Sequence, residues 1–187
     1  MKRFLIIICG LFALGLFLMN SVAMAYSLED IKKDYPNKEI HYESYRSDLG
    51  YDVRYRDMNL LTLDNKSGLK VEFHLQEFPN NTKGAFAFVT YYGNEWMLCD
   101  SLKIEDGIGA YSLYPTMEPY RNKTNSESLP VFEQLTYFIK NNEDVLQWEN
   151  AQKITVVGDH CFSDIKVNDP TYNECMSIIR RYIKNTP

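Results

Sequence analysis

Apolar and polar residues alternate with a period of two along much of the chain. Leu69, Val71, Phe73 and Leu75 interleave with Lys70, Glu72, His74 and Gln76. Such alternation gives a strand one buried face and one wet face. Ile40, Tyr42 and Ser44 alternate in the same way, as do Tyr51, Val53 and Tyr55 with Asp52, Arg54 and Arg56. A second apolar run at 59–63 is followed by the polar turn Asp64-Asn65-Lys66-Ser67-Gly68. With the 69–76 strand it predicts a hairpin. Residues 86–92 predict a buried strand, Gly93-Asn94 a tight turn, and 96–104 the returning strand. Gly107 and Gly109 mark a turn before a strand at 110–114, and 115–128 reads as a polar loop. Phe132, Leu135, Phe138 and Ile139 fit helical spacing, yet the β-propensity of 130–139 is high and favours a strand. The β-branched run 153–157 ends at Gly158 and predicts a strand paired with 161–167.

Three stretches carry helix signals. Ser27 precedes an acidic turn at Leu28-Glu29-Asp30, and Pro36 closes that short helix. Residues 142–150 predict a second helix. In the third, Asn168-Asp169-Pro170 supplies a capping side chain and then a proline whose missing N–H costs nothing at a helix start. Tyr172, Cys175, Met176, Ile179, Tyr182 and Ile183 then fall on one helical face. The expected fold class is α+β and mainly β: about eight or nine antiparallel strands in a sandwich or partly open barrel, with the C-terminal helix packed on it.

The N-terminus changes the picture of composition. Lys2 and Arg3 precede an apolar run at 4–19, and the stretch ends in Ala23-Met24-Ala25. A basic start, a short apolar centre and an A-x-A site predict a secretory signal peptide over 1–25, cleaved between Ala25 and Tyr26. The run is shorter than the ~20 apolar residues of a spanning helix, so no membrane span is expected after cleavage. Residues 26–187 are then a single β-rich domain, expected in the periplasm or outside the cell. Cleavage removes both early cations and no acid, so the net charge moves from −5 to −7. That balance argues against a nucleic-acid partner, because phosphate binding needs surplus Lys and Arg. All 14 tyrosines stay with the folded part.

The stretch Tyr92-Gly93-Asn94-Glu95-Trp96, followed by Leu102-Lys103-Ile104 and Gly107, resembles small exported bacterial β-rich domains of unknown function. These place a Trp soon after a Tyr-x-Gly-type hairpin and end in a strand, a Gly-led hairpin (here Gly158) and a short helix. The resemblance implies a fold and carries no activity and no functional residues.

Candidate chemistry is sparse. An oxidising compartment favours a disulfide, and the inward-facing pattern favours Cys161 with Cys175, leaving Cys99 over; the alternatives are Cys99 with Cys161, or three reduced thiols. Cys99 shares its strand parity with Met97 and Ser101, opposite the more apolar Trp96, Leu98 and Leu102. His160 and Cys161 are neighbours on a strand and so point to opposite faces, which is a poor arrangement for a catalytic dyad. His41, His74 and His160 lack metal-ligand spacing, and no catalytic, cofactor or metal residues are assigned. The strand tyrosines offer a binding surface for sugars or a protein, with Tyr51, Tyr55, Tyr91 and Tyr92 as the candidates. The expected role is non-enzymatic binding of a protein or cell-envelope ligand. The alternative is an exported hydrolase, or a hydrolase inhibitor, whose site is built from loops around 115–128.

Overall fold

A computed structural model describes residues 26–46, 52–64, 68–79, 82–159, 162–167 and 169–184. The elements run α1 (Leu28–Asp34), β1 (His41–Arg46), β2 (Asp52–Asp64), β3 (Leu69–Glu77), β4 (Lys83–Gly93) and β5 (Cys99–Glu105). There follow β6 (Ala110–Leu113), β7 (Tyr120–Lys123), β8 (Val131–Ile139), α2 (Asn142–Glu149), β9 (Lys153–Gly158), β10 (Phe162–Lys166) and α3 (Pro170–Lys184). Six strands form a curled half-barrel in the order β1-β2-β3-β4-β8-β7, and four form a second sheet, β10-β9-β5-β6. Neighbours within each sheet are antiparallel. The fold is therefore mainly β with a C-terminal helix packed on it. No helix among the described residues is long and apolar enough to cross a membrane.

The strongest alternation in the sequence builds the core. Leu69, Val71, Phe73 and Leu75 of β3 are fully buried, as are Ala85 and Ala87 of β4. Against them α3 lays Tyr172, Met176, Ile179 and Tyr182. Asp169 caps that helix by accepting the Tyr172 amide at 2.8 Å. Aromatic edges lock the layers together: Phe73 meets Trp148 of α2 at 5.3 Å and Tyr172 at 5.7 Å. Burial would strand the phenol hydroxyls, so each finds a carbonyl: Tyr172 donates to Trp148 O at 2.5 Å and Tyr182 to Gln76 O at 2.8 Å. Removal from water raises both phenol pKa values.

Three features depart from the sequence reading. The 51–56 strand and the 59–63 run are one strand, β2, of 13 residues. A bulge between Asn59 and Leu61 breaks its phase, so the simple alternation is interrupted. The polar loop 115–128 contains β7, whose four residues are all exposed and which, among the described residues, pairs only with β8. Cys99 also lies in the core rather than on the less apolar side, together with Met97. Leu98 adopts φ +53°, and a register shift follows between Cys99 and Ser101, so Leu102 and Ile104 are buried as well. Gly158 permits this crowding, since a β-carbon there would collide with the Met97 carbonyl.

Glu133 joins the two sheets. Its side chain is completely buried, yet it projects from β8 toward the chain entering β5. One oxygen accepts the amides of Met97 at 2.5 Å and Leu98 at 3.0 Å; the other accepts Cys99 N at 2.9 Å and Arg121 Nε at 3.1 Å. Arg121 closes the ring by donating to Cys99 O at 2.7 Å. The left-handed Leu98, a costly conformation for a branched side chain, lets three successive amides converge on one carboxylate.

Candidate functional site

The site is built where the β1–β2 hairpin overhangs the sheet. β3 ends at Glu77, opposite Arg56, so, among the described residues, 52–55 pair with β1 alone. Beyond Glu77 the chain turns away through Phe78 and Pro79, with Phe78 N bonded to Thr82 O at 2.9 Å. A cavity of about 480 Å³ opens between overhang and turn, lined by Tyr42, Arg54, Tyr55, Arg56, Glu77, Phe78, Pro79 and Lys83. That volume suits a small organic ligand. Tyr55 tilts against Phe78 at 5.6 Å, and Tyr42 is 83% exposed.

Its floor is an ion cluster. The Glu77 carboxylate, 10% exposed, accepts Leu28 N of α1 at 3.0 Å, pairs with Arg56, and lies 3.7 Å from Lys83 Nζ. Arg56 also reaches Glu29 at 3.0 Å. Burial opposes the charge of Arg56, but Glu77 and Glu29 outweigh it and hold its pKa above the ordinary value. Lys83 donates to Tyr26 O at 2.9 Å and lies over the Tyr182 ring. Tyr26 is held in place through its hydroxyl, bonded to Asp34 at 2.8 Å, with Arg181 over its ring. Burial, then the Asp34 bond, raises its phenol to about 12.

A second hollow lies across Tyr55, on the sheet face opposite the core, lined by Glu43, Tyr55, Asp57, Glu72, His74, Gln76, Phe88 and Gln134. Asp57 faces His74 Nδ1 at 2.7 Å and accepts from Gln76 Nε2 at 3.0 Å. His74 Nε2 is buried without a hydrogen-bond partner among the described residues, and its ring meets Phe88 edge-on at 5.2 Å. No set of His, Cys, Asp or Glu among the described residues converges tightly enough to hold a metal ion.

The candidate tyrosines do not form one surface. Tyr55 lines both hollows, while Tyr91 and Tyr92 line a separate depression with Gly68, Gly93, Asn94, Glu95 and Leu129. Tyr92 packs on Phe132 at 5.1 Å. Tyr51 lies outside the described residues, as do Ala25, His160 and Cys161. There is no disulfide among the described residues: Cys175 is a buried thiol whose pKa burial raises. The 115–128 segment contributes Arg121 to the Glu133 ring. Sequence reasoning missed Arg54, Phe78 and Lys83, which meet only because one strand outruns its neighbour. Comparison with known protein families, curated proteins and solved structures found no match.

Proposed function

We propose that this is an exported, non-enzymatic binding domain that holds a cell-envelope ligand at the overhang pocket. The observation that carries the proposal is the pocket itself: Tyr42, Tyr55 and Phe78 offer rings around a cavity of about 480 Å³. Rings that bury area while keeping a polar tip are efficient ligand contacts. The signal-like N-terminus and the resemblance to exported domains support the location. The test is co-sedimentation of the purified protein with insoluble envelope polysaccharide. Wild type is expected to be retained and Tyr42→Ala released; equal retention of both would sink the proposal.

A hydrolase reading has one specific observation in its favour, the Asp57–His74 pair. Asp57 holds the imidazole through Nδ1, and the buried Nε2 has no hydrogen-bond partner among the described residues; to act as a general base it would have to be uncovered to substrate. Turnover of p-nitrophenyl acetate that disappears in His74→Gln would favour that reading over binding alone.

A further inference from the structure

We infer that the ligand of the overhang pocket is a carboxylate carried on a ring, and that Arg54 receives the carboxylate; this deepens the binding-domain reading and rests on it. Among the described residues, three cations line the cavity, Arg54, Arg56 and Lys83, against one carboxylate, Glu77. They gather there in a chain whose net charge is −5. Two of the three are engaged. Arg56 bridges Glu77 and Glu29, and Lys83 is held by Tyr26 O and Glu77. The Arg54 guanidinium makes no hydrogen bond or ion pair among the described residues.

Among the described residues the surplus is thus one positive charge, and its shape is specific. A guanidinium presents a planar fork that matches a carboxylate through two parallel hydrogen bonds. A cationic ligand would meet like charge. A fully neutral saccharide would leave the fork unused, and Glu77, the one carboxylate among the described lining residues, is occupied by its own donors. Beside the fork stand the rings of Tyr42, Tyr55 and Phe78, which match the flat face of a sugar or of an arene. A sugar acid and an aromatic acid share this chemistry.

Isothermal titration of the purified protein distinguishes them, using galacturonate trisaccharide, neutral galactose trisaccharide and 2-naphthoate. At least one acid should bind, and the one that binds more tightly identifies the source. Arg54→Gln should weaken it about 10- to 100-fold, the loss of a charge-assisted bond. Arg54→Lys should recover part of that, and rising salt should weaken the wild type. Arg54 is exposed, so an unchanged thermal melt is the folding control. Equal affinity of acidic and neutral trisaccharides, or indifference to Arg54→Gln, overturns the carboxylate assignment. If the neutral sugar still binds and Tyr42→Ala abolishes it, the pocket reading survives that failure. If none of the three probes binds, the carboxylate assignment fails, while envelope retention that depends on Tyr42 upholds the pocket.

Discussion

Glu133 and Glu77 are both buried carboxylates near the limits of the six-stranded sheet, and they are satisfied in opposite ways. Glu133 takes three backbone amides and one arginine, with no exposed surface left. Glu77 takes one backbone amide and two cationic side chains, and its remaining edge faces a cavity. Backbone donors are fixed by the fold, so Glu133 acts as a joint between sheets. Side-chain donors bring their own charge, so Glu77 gathers cations at the surface. One residue type yields either a fastening or a binding site, according to where its donors originate.

The comparison can be broken most forcefully at Glu133. Glu133→Ala strands three buried amides and the Arg121 guanidinium, and should cost about 3–5 kcal/mol. Urea unfolding measures it; a loss below that of Glu77→Gln would erase the distinction. Glu77→Gln keeps an acceptor and leaves Arg56 its contact with Glu29, so about 1–3 kcal/mol is expected in the same experiment.

A smaller effect sits at the helix that feeds Glu77. Ser27 and Asp30 form a reciprocal cap at the start of α1, with Ser27 Oγ donating to Asp30 at 2.7 Å. Ser27→Ala should cost about 1 kcal/mol. The Ser27 hydroxyl, then its amide, holds Asp30 at about 2 instead of 3.8. A depressed carboxyl stabilises the fold above its unfolded pKa and loses that contribution as pH falls through its folded one. The wild-type advantage in urea midpoint over Ser27→Ala should therefore shrink as pH drops from 3.8 toward 2. Smallest of all, Tyr42→Ala removes an exposed ring and should leave stability within about 0.5 kcal/mol, while abolishing envelope retention.

Much of the fold is legible because its buried positions recur at a fixed period. Leu69 to Leu75 and the α3 stripe announce themselves that way, and 131–139 resolves as a strand whose burial alternates along its length. What escapes is whatever interrupts the period or lacks one. β7 buries none of its own residues and exists through pairing with β8. Cys99 changes sides because Leu98 turns the chain, which no alternation registers. Tyr55 is readable as a strand aromatic, but its neighbours Phe78 and Lys83 come from the far side of a turn. The Glu133 ring is equally silent, since its donors are amides common to every sequence.

The bulge in β2 carries a consequence for how such a protein diversifies. Before it, the even-numbered Arg56 and Met58 share the inner phase; after it, the odd-numbered Leu61 and Leu63 oppose Phe73 and Val71. One additional residue, Leu60, itself buried in the core, is thus a hinge of parity that lets a pocket cation and the half-buried Leu61 and Leu63 occupy the same side of one strand. Substitutions at positions 52–55, ahead of the Arg56 ion pair, can retune what the pocket recognises while Leu60 and the leucines that follow it keep their packing. A ligand-reading segment and a load of packing are written into one strand and remain separately editable.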